Sequence, residues 1–187
     1  MYWEDKGFLL SKIKYSENSV ISEIFTEQHG KISGIIYGAT SKKIKNYLQI
    51  GNRLHVNYIH KNDGKIGYLK IEIDKIITPL FFDDKKKLAC IVSTLNLVKI
   101  LTVESQENIN IFNSINNFFN ILSNSNWVKN YILWELEFYK LIGYDLSLKN
   151  LISEEHLNNK KIYYVKSKNI KKIVPNFLID LNINPKD

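Results

Sequence analysis

The sequence predicts an α+β protein in which a five-stranded barrel comes first and an α-helical domain follows. Two changes of pattern support this prediction. From Gly7 to about Ile77, short apolar runs are separated by turn residues at the spacing typical of small barrels. After Thr78 and Pro79, apolar residues recur every three to four positions, as on the buried face of a helix. We therefore expect two domains, residues 1–79 and residues 80–187.

The first domain is expected to contain five strands. They are Gly7–Tyr15, Ser19–Thr26, Lys31–Tyr37, Arg53–His60 and Ile66 to about Ile76. Gly30 can adopt a positive φ, so the second and third strands should form a hairpin, and Asn62-Asp63-Gly64 is a strong turn signal between the last two. A lysine-rich loop interrupts the series after the third strand. This order suits an OB-fold barrel, and the pattern alone also allows an SH3-like barrel.

The second domain is expected to contain at least three helices. Their apolar faces are Leu88, Ile91, Val92, Leu95 and Val98; Ile111, Ile115, Phe118, Phe119 and Leu122; and Trp127, Tyr131, Trp134, Phe138 and Leu141. Asp83 and Asp84 are candidate N-caps for the first helix, Ser125 or Asn126 for the third, and Gly143 suits the C′ position of the third. Beyond Leu148 the pattern allows a strand at Lys161–Lys166 and a short helix at Pro175–Ile183.

The composition is that of a folded, basic protein of a reducing compartment. The 187 residues are 44% hydrophobic, and the formal net charge of +7 favours a polyanionic partner. Neither a signal peptide nor an apolar run of membrane-spanning length is present in the sequence, and a single cysteine, Cys90, lies in an apolar stretch. We expect a buried thiol, no membrane partner, and a cytoplasmic, nucleoid-associated protein.

The sequence contains no recognisable catalytic motif. The four histidines include no pair of the HExxH type, and neither a P-loop nor a GxGxxG turn is present. Glu135 and Glu137 are two positions apart on a predicted helix, so they point to different sides and do not form an acid and base pair. We expect no catalytic residue, metal or cofactor. An enzyme missed by this reasoning would lose turnover when a carboxylate such as Glu135 is changed.

The stretch from Tyr37 to Tyr47 is the best candidate for a binding site. It holds Lys42, Lys43 and Lys45 between two tyrosines, and basic loops with aromatic neighbours hold single strands by phosphate contacts and base stacking. A solvated loop is the competing interpretation. The candidate DNA-binding residues are Lys12, Lys14, Lys31, Lys42, Lys43, Lys45 and Arg53. Lys65 and Lys70 would extend the patch if they share its face. By contrast, the helical spacing of Trp127, Trp134 and Phe138 predicts core packing.

Several segments resemble the RecO family of bacterial recombination mediators, in the same order and with similar spacing. They are Trp3–Leu10, Glu17–Ser19, Phe25–Lys31, Leu48–Asn52 and Trp134–Tyr144. The resemblance implies an N-terminal OB barrel followed by helices. It also implies a protein that binds and anneals single- and double-stranded DNA. Such a protein works with RecR to load RecA and recognises the acidic C-terminal tail of the single-strand binding protein (SSB).

The sequence departs from the family pattern in two places. No cysteine follows Tyr144, so the zinc site of many family members is not expected here. Tyr37, Thr40 and Ser41 stand where the family often has arginines beside the glycine. The missing arginines motivate an alternative function, that of an adaptor whose OB barrel binds partner proteins and little or no DNA.

Overall fold

The structure is a computed structural model that describes residues 1–60 and 66–144, and the backbone alone of Ile152–Leu157 and Lys160–Val165. The chain forms two compact units, Met1–Asn116 and Asn117–Asp187. We describe each unit by itself. The change from strands to helices occurs near Thr78, whereas the boundary between the two units, after Asn116, lies inside the helix Ile109–Leu122. The expected domain boundary after residue 79 therefore stays a prediction.

The first unit contains a closed barrel of five strands. They are β1 (Tyr2–Ser16), β2 (Ser19–Thr26), β3 (Gly30–Tyr37), β4 (Arg53–Ile59) and β5 (Gly67–Lys75). Their order around the barrel is β1-β2-β3-β5-β4, and the pair β3 and β5 is parallel while the other pairs are antiparallel. A five-stranded barrel of this kind is an OB fold, which confirms the predicted fold class.

Alternate residues of the strands fill the barrel, as the period of two requires. The core side chains are all buried and include Leu9, Ile24, Ile32, Ile36, Leu54, Val56, Leu69 and Ile71. Ala39 and Leu48, from the connection between β3 and β4, join the same cluster. Burying an aliphatic side chain of this size contributes about 1.5–3 kcal/mol, so the barrel core is the main source of this unit's stability.

Strand β1 begins at Tyr2, five residues earlier than the sequence predicts. Its first half pairs with β4 and its second half with β2, so one long strand serves both neighbours. The prediction missed the first half because the inward position at residue 5 holds a carboxylate. Asp5 is buried and accepts hydrogen bonds from Gln28 N at 2.9 Å and His29 Nδ1 at 2.9 Å. It therefore fixes the turn between β2 and β3.

A six-residue helix, α1 (Lys42–Tyr47), occupies the segment that the sequence predicts as a loop. Ser41 is its N-cap and accepts from Ile44 N at 3.4 Å. At the other end, Leu48 N donates to Ile44 O at 3.1 Å. The sequence did not reveal α1 because six residues give fewer than two turns, too short a run for a helical period.

The helices that follow agree with their predicted positions. After a 3₁₀ turn at Thr78–Phe81 come α2 (Lys85–Leu101), α3 (Ile109–Leu122) and α4 (Trp127–Leu141). Asp84 caps α2 by accepting from Lys86 N at 3.0 Å and Lys87 N at 3.1 Å, which confirms the predicted cap. Cys90 is fully buried in α2, as expected. Gly143 follows α4 with φ 92°, which confirms its predicted place after the helix.

The second unit has an aromatic core between the end of α3 and α4. The ring centres of Phe118 and Trp134 are 5.2 Å apart, and those of Trp134 and Phe138 are 5.3 Å apart. These tryptophan and phenylalanine side chains are buried, so the expectation of core packing rather than base stacking is confirmed.

An antiparallel pair of strands, β6 (Ile152–Leu157) and β7 (Lys160–Val165), follows in the second unit. Strand β7 agrees with the strand expected near residues 161–166, and β6 was not predicted. The predicted turn at residues 61–65 and the helix expected at Pro175–Ile183 lie outside the described residues. Within the described part of the chain, no helix is both long and apolar enough to span a membrane.

Candidate nucleic-acid interface

Helix α1 presents three lysines to solvent. Lys42, Lys43 and Lys45 are all exposed, and α1 carries no acidic residue. The surrounding sequence has the same bias, because residues 28–62 contain six basic residues and no aspartate or glutamate. Such a run creates a positive surface potential that attracts phosphate groups.

Lys12 of β1 joins this group from a different element. Its ammonium donates to the carbonyl oxygen of Leu48 at the end of α1. A positive charge at this position also interacts favourably with the negative end of the helix dipole. Burial lowers the pKa of Lys12, and the nearby charge of Lys45 lowers it further. The hydrogen bond to Leu48 O places the Lys12 ammonium beside the last turn of α1, which carries Lys45. The fold therefore brings Lys12 and Lys45 to the same end of α1 although they are 33 positions apart in the sequence.

Lys14 lies on the same side of β1 as Lys12. Lys12 is opposite Ser22 and Lys14 is opposite Val20 on β2, so the two lysines are successive positions of one face. Lys14 is exposed. On α1, the Lys43 ammonium lies 6.0 Å from the centre of the Tyr47 ring, at the outer limit of a cation–π contact. We call Lys12, Lys14, Lys42, Lys43 and Lys45 the α1 lysine group.

Lys31 makes its contacts at the end of α2 instead. Its ammonium donates to Lys99 O at 2.7 Å and to Thr102 O at 2.5 Å, so it satisfies carbonyls at the C-terminus of that helix. Immediately afterwards, Ser105 N donates to Lys31 O at 2.8 Å. Residues 103–107, which we call the strap, thus run beside the first half of β3.

Arg53 is held in an ion pair. Its Nε donates to Asp74 Oδ2 at 2.5 Å, and its guanidinium lies 5.9 Å from the ring centre of Phe8. Lys6 and His55 also face Asp74, at 3.8 Å and 3.2 Å. Burial alone would raise the pKa of Asp74, but the hydrogen bond and charge of Arg53, with Lys6 and His55, hold it below its ordinary value. Arg53 therefore has a stabilising partner within the protein.

The outward face of β1, β2 and β3 is covered at one end and open at the other. At the covered end, Ser33 donates to a carboxylate oxygen of Glu104 in the strap, and Lys99 pairs with Glu23 at 2.6 Å. At the open end, Ile13, Tyr15 and Tyr37 are exposed. Sequence reasoning missed Tyr15 and also Tyr68, whose ring lies 5.5 Å from that of Tyr37, although their alternation with inward residues marks both as outward-facing.

The structure thus divides the seven predicted site residues into two sets. Lys12, Lys14, Lys42, Lys43 and Lys45 form the group at α1, whereas Lys31 and Arg53 contact α2 and Asp74. DNA binding by any of the seven stays a prediction. Lys70 is exposed on β5, and Lys65 lies outside the described residues. Among the described residues, no three histidine, cysteine or acidic side chains converge as metal ligands would.

Comparison with known proteins identifies relatives for most of the chain. Residues 1–77 match the family described as "Recombination protein O N terminal". A protein named DNA repair protein RecO from Rickettsia canadensis (strain McKiel) is 33% identical over 167 residues, which cover 88% of this chain and 67% of that protein.

More distant relatives with the same name give a similar alignment. The protein from Wolbachia pipientis subsp. Culex pipiens (strain wPip) is 28% identical over 150 residues. The one from Ehrlichia chaffeensis (strain ATCC CRL-10679 / Arkansas) is 29% identical over 150 residues. Each alignment covers 79% of this chain and 61% of the relative. The chain thus spans about three fifths to two thirds of the length of these relatives.

Proposed function

The chain belongs to the RecO family, and on that premise we propose that it acts in DNA repair and recombination by binding DNA through the α1 lysine group. The observation that carries the proposal is the hydrogen bond of Lys12 to the end of α1, which brings this lysine of β1 to the turn that holds Lys45. Like charges close together repel each other unless a polyanion neutralises them, so a DNA backbone relieves this repulsion.

The proposed mechanism is electrostatic and includes no covalent step. Phosphates of one strand lie along α1, and releasing their counterions supplies much of the binding free energy. Two strands held on this surface lose part of their mutual repulsion, which favours annealing of complementary sequences. The protein binds single-stranded and double-stranded DNA in this way, as the family resemblance implies.

We further propose that the protein works with partners, as family membership implies. RecR binds it, the acidic C-terminal tail of SSB recruits it, and RecA is loaded as an indirect result. An SSB-tail peptide competes with single-stranded DNA only if both use the α1 lysine group. Titrating the peptide against a preformed DNA complex, and passing the protein with RecR over a sizing column, tests these two contacts separately.

Fluorescence anisotropy of a labelled single-stranded oligonucleotide, titrated across a salt series, tests DNA binding. The test variant is Lys42→Glu, Lys43→Glu, Lys45→Glu. For single strands, log K falls with log salt at about 0.7 per phosphate contact, so losing three contacts lowers the slope by about 2. We expect wild-type binding to weaken steeply with salt and the variant to bind weakly at every salt concentration.

The matched control carries the same change of charge elsewhere. Lys85, Lys86 and Lys129 are exposed and lie in the first turns of α2 and α4, where glutamate suits the helix dipole. The control Lys85→Glu, Lys86→Glu, Lys129→Glu should retain most of the wild-type affinity and salt slope. If both triple variants lost the same DNA affinity, the loss would come from the change in net charge, and α1 would not be the DNA-binding site.

An adaptor function is the second candidate, and one observation favours it. Lys12, Lys31 and Arg53, three of the seven predicted DNA contacts, already have partners within the protein. Fewer basic groups are then left for phosphates. The same titration separates the two functions, because an adaptor binds DNA weakly at low salt, and the α1 variant binds it equally weakly.

A further inference from the structure

We propose that Tyr15, Tyr37 and Tyr68 form a stacking surface for unpaired bases, which makes the site selective for single-stranded over double-stranded DNA. We call these three residues the tyrosine face. The inference rests on the proposed function, since it places bases beside the phosphates that the α1 lysine group would hold. It adds a group of binding residues and a substrate preference.

Tyr37 and Tyr68 lie on the paired strands β3 and β5, and Tyr15 lies on β1, which β2 separates from β3. The ring centres of Tyr37 and Tyr68 are 5.5 Å apart, with an angle of 32° between the ring planes. Partial desolvation raises the pKa of Tyr37. The charge of the Tyr68 phenol and a hydrogen bond with it raise this pKa further, and the charge of Tyr15 adds a smaller effect. Tyr15 precedes Ser16, which pairs with Ser19 of β2, and Ser19 pairs with Tyr37, so Tyr15 lies across a single strand from Tyr37.

The cluster is exposed although its side chains are large and aromatic. Tyr15 is 58% and Tyr37 is 59% exposed, and Ile13, 61% exposed, lies on the same outward side. Aromatic rings in solvent gain free energy by stacking on other flat groups, and every base offers such a surface regardless of sequence. Contiguous apolar groups on a protein surface mark places of interaction.

The rest of the outward face explains why bases would use this end. Tyr68 stands at the end of a cross-strand row formed with Ile13, Ile21 and Ile35, and this row lies between Tyr15 and Tyr37 and the strap. Beyond that row, the strap and Lys99 contact Ser33 and Glu23. These contacts occupy that end of the face, and the charge of Lys99 offsets that of Glu23. The end that carries the tyrosines is therefore the one open to a strand.

Chain connectivity keeps α1 within reach of the tyrosine face. Tyr37 ends β3, Gly38 has φ 72°, and α1 begins at Lys42, five residues after Tyr37. Five residues span at most about 18 Å even when extended. A short single strand can therefore reach from the lysines to the tyrosines. In a duplex the bases are paired and stacked on each other, so only its phosphates would be recognised.

The experiment compares Tyr37→Ala with Tyr37→Phe, and includes Tyr15→Ala as a second removal of a ring. Each variant is titrated with a labelled oligothymidylate, with a duplex of equal length, and with a strand of the same length made of abasic nucleotides. Stacking of one base changes affinity by about 5- to 100-fold. Thermal melting of each variant verifies that it is folded, which is expected because both tyrosines are exposed.

We expect Tyr37→Ala and Tyr15→Ala to weaken oligothymidylate binding about tenfold and to change duplex and abasic-strand binding less than twofold. Tyr37→Phe keeps the ring and should bind as the wild type does. The salt slope should stay unchanged in all three variants, since no phosphate contact is lost. Unchanged oligothymidylate binding by both alanine variants, or an equal loss for the duplex, would overturn the inference.

The outcomes also separate this inference from the proposed function. If the α1 triple variant loses DNA binding and the tyrosine variants keep it, the proposal for the α1 lysine group is supported and the proposal for the tyrosine face is wrong. If the α1 triple variant matches the wild type, the proposed function fails, whatever the tyrosine variants do. A tyrosine-dependent loss that also occurs with abasic strands would mean that the rings support the fold rather than bind bases.

Discussion

The ammonium of Lys31 donates to the carbonyl oxygen of Thr102 at 2.5 Å, and this contact ties the middle of the barrel sheet to the end of α2. A second hydrogen bond goes to Lys99 O at 2.7 Å. The carbonyls at the end of a helix have no partner within the helix, so a lysine from elsewhere is an effective substitute. A lysine that resembles a phosphate contact in the sequence thus serves the fold.

Lys31→Met should therefore lower stability and leave DNA affinity nearly unchanged. Hydrogen bonds from charged groups contribute about 1.5–3 kcal/mol, and water recovers part of this at a half-buried site. We expect a loss of about 1–2 kcal/mol in urea unfolding, with oligonucleotide affinity within twofold of wild type. The control is Lys70→Met on β5, an exposed lysine that should change stability by less than about 0.5 kcal/mol. A large loss of oligonucleotide affinity in a folded Lys31→Met variant would instead indicate that Lys31 contacts DNA.

Gly30→Ala should be far more damaging than Gly38→Ala. Both glycines have a positive φ, 67° and 72°, so alanine is strained at either position. A Cβ on Gly30 would also lie 1.9 Å from the carbonyl oxygen of Gln106 in the strap, whereas a Cβ on Gly38 meets nothing within 4 Å. We expect about 1 kcal/mol lost for Gly38→Ala and at least about 3 kcal/mol for Gly30→Ala, measured by urea unfolding. Equal losses would show that the strap moves aside easily.

The sequence predicted Gly30 and its turn correctly but could not show the second reason for glycine there. Positive φ is a local property, and a turn between two apolar runs reveals it. The approach of Gln106 joins positions far apart in the chain, and no local pattern records it. The same limit applies to the basic residues, because Lys31 and Arg53 have their partners at α2 and Asp74 whereas Lys12 has its partner at the end of α1. All look alike as basic residues between apolar ones, and only the fold determines which of them has a partner within the protein.

Strand and helix positions were predicted well where turn or cap residues mark their ends. Strand β2 has the predicted ends, Ser19 and Thr26, because the turn at Gln28-His29-Gly30 closely follows it. Strand β1 was predicted too short because Asp5 occupies an inward position, and α1 was missed because it is too short for a period. The exceptions are thus places where a polar group or a short segment serves a tertiary contact.

Lys12→Met and Lys14→Met should separate the two roles of the α1 lysine group. Each variant loses one phosphate contact in our proposal, so each should lower the salt slope by about 0.7. Only Lys12→Met also removes the hydrogen bond to Leu48 O at the end of α1, so only it should lower stability, by about 1 kcal/mol. Anisotropy across a salt series and thermal melting measure the two effects. A salt slope that neither variant changes would exclude this side of β1 from the DNA path.

Asp74→Asn should flatten the acid side of the stability profile. The partners of Asp74 hold its folded-state pKa below the ordinary value of 3.8, so the stabilisation is fully present above that value. It is lost as pH falls through the folded pKa, because protonation then removes the ion pair with Arg53. We expect Asp74→Asn to cost about 1–2 kcal/mol at pH 7, with the difference from wild type shrinking between about pH 4 and pH 2. Urea unfolding at a series of pH values measures this, with Asp83→Asn, an exposed carboxylate, as the control. If the wild-type and Asp74→Asn profiles stay parallel down to pH 2, then Arg53 is not held by this carboxylate and becomes available for DNA.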